Sequence, residues 1–340
     1  MDAIRLADVT TFRVGGPARQ FREVADEGEL IAAVREADAE GWPLLLIGGG
    51  SNLLIADEGF DGIAIRVATK GIDAGVMCGA GRVEAAAGEH WDSFVAELIE
   101  QGYAGAEALS GIPGSVGATP IQNVGAYGQE VSQIIDRVRV LDRTTGEVGD
   151  LAADECGFGY RDSMFKRTPG RFVVLSVVFE LPRSKFSRPI RYNELARSVN
   201  VGVGDRAGLG EVREAVLALR RGKGMVIDPA DHDTWSAGSF FTNPVVPEDL
   251  LPPDAPAFPV EGGLMKTSAA WLIEYSGFGK GYGSGAARLS TKHTLAITNR
   301  GHATAADILA LAREVRDGVR DRTGISLVPE PVLVGCSLDA

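Results

Sequence analysis

Apolar residues recur three or four positions apart in several segments of the chain, which places them on one face of a helix. Four such segments predict helices over residues 27–40, 90–101, 211–221 and 266–275. A fifth helix is predicted after Thr304, where the spacing to Asp307 matches a capping box and Gly324 marks the end.

Short, continuously apolar runs lie between these helices and predict strands. Residues 43–47, 63–67, 83–87 and 172–181 have this pattern, and an apolar run at 325–335 predicts a strand interrupted by one carboxylate. A turn at 144–146 follows an apolar run and predicts a hairpin. Together the two kinds of segment predict an α+β fold.

The stretch from Leu109 to Gly128 follows neither pattern. It combines glycines and small residues with two prolines, and it contains no Asp, Glu, Lys or Arg. Glycine permits close backbone approach, and proline excludes a regular helix or a central strand. An uncharged stretch of this length is not typical of a solvated linker. Two explanations stay open: backbone wrapped against a large, flat, partly anionic ligand, or a buried crossing of loops between domains.

A second glycine-rich segment, Gly48-Gly49-Gly50-Ser51-Asn52, joins an apolar run that ends at Ile47 to another that begins at Leu53. A strand followed by such a turn can collect backbone N–H groups around a phosphate. The spacing matches neither the Gly-x-Gly-x-x-Gly fingerprint nor a P-loop. The segment is therefore either an anion-binding nest or an ordinary β-turn.

The chain's 340 residues are enough for two or three domains with sizeable cores. A formal net charge of −12 argues against non-specific binding to nucleic acid or to an anionic membrane surface. An anionic substrate therefore needs a local basic cluster. Arg220, Arg221 and Lys223 supply one, and they either clamp a phosphate or complement a helix dipole.

The cysteines Cys78, Cys156 and Cys336 are odd in number and form no Cys-x-x-Cys pair. This pattern predicts free thiols in a reducing compartment, without a zinc or disulfide framework. The histidines show no metal-ligand spacing, and there is neither an apolar signal core at the start nor a run of 18 apolar residues. We expect a cytoplasmic protein with no metal site and no membrane insertion.

Three later side chains are candidates for chemistry. Arg161 lies among aromatic and small residues, where a guanidinium often meets a carboxylate or phosphate, although an ion pair with Asp162 fits as well. Ser239 has no Gly-x-Ser-x-Gly elbow, which favours a turn hydroxyl over a hydrolase nucleophile. Glu330 stands between two prolines in an apolar tail and is either paired or functional.

Five motifs then occur in order between about Thr11 and Gly335. They are Ile-Gly-Gly-Gly-Ser-Asn, the glycine-rich run that ends in Ile-Gln-Asn-Val-Gly-Ala-Tyr-Gly, Tyr-Arg-Asp-Ser-Met-Phe-Lys, Gly-Ser-Phe-Phe-Thr-Asn-Pro and Pro-Glu-Pro. The ordered set closely resembles the UDP-N-acetylenolpyruvoylglucosamine reductase (MurB) family over nearly the whole chain. The resemblance implies an FAD flavoenzyme of bacterial peptidoglycan precursor synthesis, which uses NADPH to make UDP-N-acetylmuramate.

The resemblance also implies a domain plan of the vanillyl-alcohol oxidase type. A two-lobed, PCMH-type FAD-binding module is joined to a C-terminal α+β domain that binds substrate. The implied boundaries are residues 1–69 and 325–340 for the first FAD-binding lobe, 70–205 for the second lobe, and 206–324 for the substrate-binding domain.

Site residues follow by the same resemblance. The catalytic set is Arg161, Ser239 and Glu330, and the substrate set is Tyr127, Tyr192, Lys223 and Asn243. The residues expected to hold FAD lie in the two glycine-rich loops: Ile47, Gly48, Gly49, Gly50, Ser51, Asn52, Leu53, Ile112, Pro113, Gly114, Gly117, Ala118, Ile121, Gly125 and Ala126. No histidine lies in either loop, which favours non-covalent FAD.

The expected partners are a UDP-sugar substrate and NADPH, without nucleic acid, and the protein is expected to be a monomer or weak oligomer. Two other functions stay open on the sequence alone: another FAD-dependent oxidoreductase of the same fold, or a non-catalytic protein that binds a nucleotide sugar. The Gly-Ser-Phe-Phe-Thr-Asn and Pro-Glu-Pro motifs argue against the first, and the joint presence of Arg161, Ser239 and Glu330 argues against the second.

Overall fold

A computed structural model describes residues 4–77 and 80–339 as a mixture of helices and strands. The α-helices span Glu27–Ala39 (α1), Trp91–Glu100 (α2), Met164–Arg167 (α3), Asn193–Ser198 (α4), Leu209–Gly222 (α5), Ala269–Tyr275 (α6) and Ala305–Thr323 (α7). The β-strands span Ala18–Val24 (β1), Leu44–Ile47 (β2), Leu53–Ile55 (β3), Phe60–Val67 (β4), Ile72–Met77 (β5), Ala80–Ala86 (β6), Gly125–Ala126 (β7), Gln129–Glu130 (β8), Ile135–Asp142 (β9), Glu147–Ala152 (β10), Phe172–Pro182 (β11), Val245–Val246 (β12), Ala257–Pro259 (β13), Met265–Thr267 (β14), Ala287–Leu289 (β15), Ile297–Asn299 (β16) and Val332–Val334 (β17). The predicted α+β class is confirmed.

Most predicted elements are present with boundaries shifted by one or two residues, but α6 is shorter than predicted. The helix expected from residue 266 begins at Ala269, because the Ser268 hydroxyl accepts a hydrogen bond from the Trp271 N–H at 3.2 Å and caps it. Lys266 lies instead in β14. Apolar periodicity did not reveal this cap.

The strand predicted over residues 325–335 is wrong over most of its length. Only Val332–Val334 is a strand, and it pairs in parallel with Leu53–Ile55. Pro329 and Pro331 have no N–H group, so a continuous ladder cannot run through them.

One compact unit consists of residues 19–49 and the described residues of 61–221. Its main sheet is antiparallel with strand order β10-β9-β11-β6-β5, and a second sheet has the order β1-β4-β2 with β2 and β4 parallel. Helix α2 packs on the main sheet through aromatic contacts: the Phe94 ring centroid lies 5.0 Å from that of Phe179 on β11, and Trp91 lies 6.0 Å from Phe179. We call this body the sheet unit.

The other compact unit contains the described residues of 1–18, 50–60 and 222–340, and we call it the interleaved unit. Its core is organised by α7, whose apolar stripe is buried. The predicted capping box is present: the Thr304 hydroxyl accepts from the Asp307 N–H at 3.1 Å, and the Asp307 carboxylate accepts from the Thr304 N–H at 2.9 Å. Gly324 ends the helix with a φ of 74°.

The three-part domain plan stays a prediction.

Candidate functional site

Within the sheet unit, the two predicted cofactor loops are in backbone contact. A Cβ atom placed on Gly49 would lie 2.6 Å from the Cα of Gly114, and one on Gly48 would collide with the Ser115 hydroxyl. Glycine is needed at both positions because any larger residue would push the loops apart. The glycines at 48 and 49 therefore have a packing role that the sequence interpretation, an anion nest, did not include.

The second loop is fixed to the start of α2. The Trp91 indole N–H donates to the Leu109 carbonyl at 3.0 Å, and the Trp91 backbone N–H donates to the Gly114 carbonyl at 3.0 Å. The Val116 N–H donates to the Glu89 carbonyl at 2.8 Å. Much of the loop is buried in protein, which accounts for part of its lack of charge.

Three backbone donors where the loops touch are available for an acceptor. In the part of the chain that the structure describes, the N–H groups of Gly48, Gly49 and Gly114 donate to no protein acceptor. Gly114 is buried, and a buried N–H without an acceptor is destabilising unless a ligand or water supplies one. Backbone N–H groups of glycine-rich loops suit a phosphate, so these residues fit the diphosphate of a dinucleotide such as FAD.

Arg161 lies in a turn that is attached to the same loop. The turn is closed by mutual backbone hydrogen bonds between Gly159 and Asp162, at 2.9 and 3.3 Å. Arg161 adopts a φ of 52°, and its guanidinium donates to the Gly125 carbonyl at 2.7 Å. Asp162 forms an ion pair with Arg167.

Two predicted substrate residues of the sheet unit contact each other. Tyr127 and Tyr192 meet edge-to-face with ring centroids 5.7 Å apart, and Tyr192 is half exposed. Arg220 is half-buried near the end of α5. Burial lowers the pKa of Arg220 to about 10, with Tyr127 and Asp92 partly offsetting this, so the guanidinium stays charged at neutral pH. An anionic ligand would stabilise that charge.

Within the interleaved unit, hydrogen bonds join the segments that carry Ser239, Glu330 and Asn52. The Glu330 N–H donates to the carbonyl of Phe240, the residue after Ser239, at 2.8 Å. The Asn52 amide donates to the Glu330 carbonyl at 3.3 Å, and the Val332 N–H donates back to the Asn52 carbonyl at 2.9 Å. A cofactor-loop residue and two predicted catalytic residues are thus tied together.

The other two predicted substrate residues also lie in the interleaved unit. Lys223 is half-buried and directly follows α5. The side-chain carbonyl of Asn243 accepts a hydrogen bond from the Ala269 N–H at 3.0 Å, at the first residue of α6. Asn243 therefore has a structural partner, which leaves its NH₂ group as the part that could meet a ligand.

Comparisons with known proteins agree with this geometry. A family model described as the UDP-N-acetylenolpyruvoylglucosamine reductase C-terminal domain matches residues 228–334, and one described as an FAD binding domain matches residues 18–152. The UDP-N-acetylenolpyruvoylglucosamine reductase of Thermobifida fusca is 57% identical, over 98% of this chain and 98% of the relative. The reductase of Streptomyces avermitilis is 58% identical, over 98% of this chain and 94% of the relative. The chain belongs to the UDP-N-acetylenolpyruvoylglucosamine reductase family.

A solved structure supports the same placement. The UDP-N-acetylenolpyruvylglucosamine reductase (MurB) of Thermus caldophilus superposes with a TM-score of 0.68 and 27% identity, covering 97% of each chain. The predicted family, reductase activity, FAD and NADPH are confirmed by membership of the MurB family. The individual site residues stay predictions.

Further findings concern metals, membranes and thiols. Among the described residues no group of His, Cys, Asp or Glu could hold a metal ion, and no described helix is long and apolar enough to span a bilayer. Cys156 and Cys336 are free thiols, and Cys78 lies outside the described residues. Burial raises the pKa of Cys156 to about 12, so this thiol is protonated and unreactive at neutral pH.

Sequence reasoning missed two residues that hold this MurB site together. Asp92 accepts from the Gly111 N–H at 2.5 Å and from Arg213 on α5 at 2.7 Å, so it joins the second loop to that helix. Asn123 binds the turn that carries Arg161. A polar residue at a helix start and an Asn in a glycine-rich run have many roles, so their spacing alone could not single them out.

Proposed function

We propose that this chain reduces the enolpyruvyl ether of UDP-N-acetylglucosamine to the lactyl ether, giving UDP-N-acetylmuramate for peptidoglycan synthesis. NADPH is the reductant, and FAD would be held non-covalently by the two loops, where the N–H groups of Gly48, Gly49 and Gly114 are available to its diphosphate. The observation that carries the proposal is the fixed Arg161 turn attached to a loop with open N–H donors, in a chain of this family.

When bound, FAD would supply the hydride for the terminal enolpyruvyl carbon, and the protein's own residues would provide position and electrostatics. Negative charge then develops on the neighbouring carbon and its carboxylate as an enolate. Arg161 meets that carboxylate as a permanent cation, and Glu330 orients the group by hydrogen bonding. A fixed guanidinium reorganises little during the reaction, which is why a rigid turn is useful there.

Ser239 donates the proton that completes the reduction. Its hydroxyl is a weak acid, but an enolate carbon is basic enough to take the proton when the two are well placed. The proton moves from Ser239 Oγ to the enolate carbon, and water restores the hydroxyl. The backbone hydrogen bond between Glu330 and Phe240 supports this role, because it fixes the segment that carries Ser239.

The remaining assignments complete the proposal. Tyr127, Tyr192, Lys223 and Asn243 bind the UDP-sugar, with Arg220 adding positive charge near Tyr127. We also propose a cytoplasmic monomer or weak oligomer, since both substrates are charged nucleotides made inside the cell. A domain plan of two FAD-binding lobes and a substrate-binding domain is part of the same proposal.

Separate half-reactions test the assignment of Ser239. Ser239→Ala should leave flavin reduction by NADPH nearly intact and slow reoxidation by the enolpyruvyl substrate about 100-fold or more, the usual size of a lost general acid. Anaerobic rapid mixing resolves the two steps. An equal loss of rate in flavin reduction and in reoxidation would show that Ser239 has a structural role.

A further inference from the structure

Asn123 has an unusual backbone for a buried residue. Its side chain is 1% exposed and its φ is 47°, a left-handed conformation that glycine adopts with less strain. A non-glycine residue held in this region points to a requirement for its side chain. The contacts of the Asn123 amide show what that requirement is.

Every polar atom of the Asn123 amide is engaged. Its NH₂ group donates to the Gly159 carbonyl at 2.9 Å and to the Glu130 carboxylate at 3.1 Å, and its carbonyl accepts from the Ser132 N–H at 3.1 Å. A flipped amide would place oxygen against two acceptors, so the orientation is fixed by these partners.

The Gly159 carbonyl belongs to the turn that presents Arg161. Hydrogen bonds at alternate residues of the loop attach this turn and its flank. The Ser163 hydroxyl donates to the Ile121 carbonyl at 2.6 Å, Asn123 donates to Gly159, and Arg161 donates to the Gly125 carbonyl at 2.7 Å. Of these three bonds, that of Asn123 lies between the other two, and its donor is a side chain of the loop.

We propose that Asn123 is a positioning residue for Arg161, which holds the Gly159–Asp162 turn so that the guanidinium is fixed against the Gly125 carbonyl. The inference rests on the proposed function of Arg161 in stabilising the enolate. Asn123 acts through the turn and contacts no reacting atom. Loss of its bonds lets the turn move, and a small displacement of a charge-stabilising group is costly to the rate.

Two substitutions distinguish the effect of the Asn123 backbone conformation from the effect of its side-chain hydrogen bonds. Asn123→Gly keeps the left-handed backbone and removes the three bonds, whereas Asn123→Asp keeps the shape but sets a carboxylate oxygen against the Gly159 carbonyl and Glu130. Asn200 provides the matched control: its φ is 54° and it is exposed. Asn200→Gly should change neither half-reaction.

The test is anaerobic rapid mixing of the FAD-loaded variants with NADPH and then with the enolpyruvyl substrate. For Asn123→Gly we expect flavin reduction within twofold of wild type, reoxidation at least tenfold slower, and kcat reduced with little change in the KM for NADPH. Reoxidation at the wild-type rate, or equal slowing of both steps, would overturn the proposal. So would loss of FAD in both Asn123→Gly and Asn123→Asp, since Asn123 would then belong to the cofactor cradle.

A double substitution separates this inference from the proposed function. In an Arg161→Lys background, adding Asn123→Gly should slow reoxidation by a further factor of less than two, because the guanidinium that Asn123 positions is already gone. Multiplicative effects would show that Asn123 acts independently of Arg161. If Arg161→Lys alone reoxidises normally, the role of Arg161 fails, whatever Asn123 does.

Discussion

Backbone strain at single residues marks the proposed site. Among the described residues, six non-glycine residues have a left-handed φ, and Asn123, Tyr127 and Arg161 are three of them. Each such residue costs about 1–3 kcal/mol and persists only where the surroundings hold it in place. For Arg161, two features supply that restraint: its own hydrogen bond to the Gly125 carbonyl, and the backbone hydrogen bonds between Gly159 and Asp162 that close the turn.

Replacing Arg161 by Lys should slow substrate-dependent reoxidation by about 100-fold, because one ammonium cannot reproduce a planar guanidinium fork. Flavin reduction by NADPH should change little. Arg171→Lys is the control, since Arg171 is an exposed arginine that pairs with Asp142. Near-normal turnover of Arg161→Lys would remove Arg161 from the catalytic set.

Asp92 links pH to the stability of the second loop. Burial favours the neutral acid, but hydrogen bonds from Arg213 and from the Gly111 N–H outweigh it, so the pKa of Asp92 lies below its usual value. A lowered pKa in the folded state stabilises the protein above the unfolded-state pKa of about 4, and this stabilisation is lost as pH falls through the folded-state value.

Asp92→Asn should therefore lower the free energy of unfolding by about 2 kcal/mol at pH 7, since it leaves Arg213 without its charge partner. The difference from wild type should stay constant from pH 7 to about 5 and narrow below about pH 4. Urea unfolding at several pH values measures it, with the exposed Asp61→Asn as control. If the difference in the free energy of unfolding between Asp92→Asn and wild type grew as the pH fell, the lowered pKa of Asp92 would be contradicted.

Residue chemistry was predictable only in part. Glycine-rich runs and a guanidinium among aromatic residues indicated where ligand and charge would meet, and the ordered motifs supplied Ser239 and Glu330. The attachment of Arg161 by Asn123 was not predictable, because it joins residues 36 positions apart through one hydrogen bond. Such a contact has no local spacing to detect.

At the scale of elements, the contact between the two glycine-rich loops depends on missing side chains. Gly49→Ala would place its Cβ 2.6 Å from the Gly114 Cα, and backbone cannot yield as a flexible side chain would. We expect FAD affinity to fall at least tenfold while secondary structure is retained. Gly149→Ala, where nothing lies within 4 Å of the added atom, is the matched control.

Flavin release on dilution, followed by fluorescence, measures this affinity. Wild-type affinity in Gly49→Ala would show that the two loops need not touch to hold the cofactor. Reduced affinity in both variants would point to a general loss of stability.

The ends of an element were predictable where residues within one turn determine them. The predicted helix after Thr304 has its capping box and its glycine end, both defined by residues within one turn. The apolar run at 325–335 predicts a strand, but two prolines interrupt it and only Val332–Val334 is one. Pairing of β17 with β3 depends on chain segments almost 280 residues apart, which periodicity cannot connect.

At the scale of the whole molecule, the chain passes between its two compact units more than once. Residues 50–60 belong with the described part of 222–340, while residues 19–49 and the described part of 61–221 form the sheet unit. No composition shift marks these transitions, so only a resemblance to a known family could suggest a divided domain. The net charge of −12 likewise describes the whole surface and conceals the basic residues around Arg220.

The most direct test of the account follows the flavin of the purified protein through one cycle. With FAD bound, NADPH should bleach the flavin absorbance under anaerobic conditions. One equivalent of UDP-N-acetylglucosamine enolpyruvate should then restore the absorbance and yield one equivalent of UDP-N-acetylmuramate. A protein that stays colourless when FAD is added, or a reduced flavin that this substrate fails to reoxidise, would contradict the account.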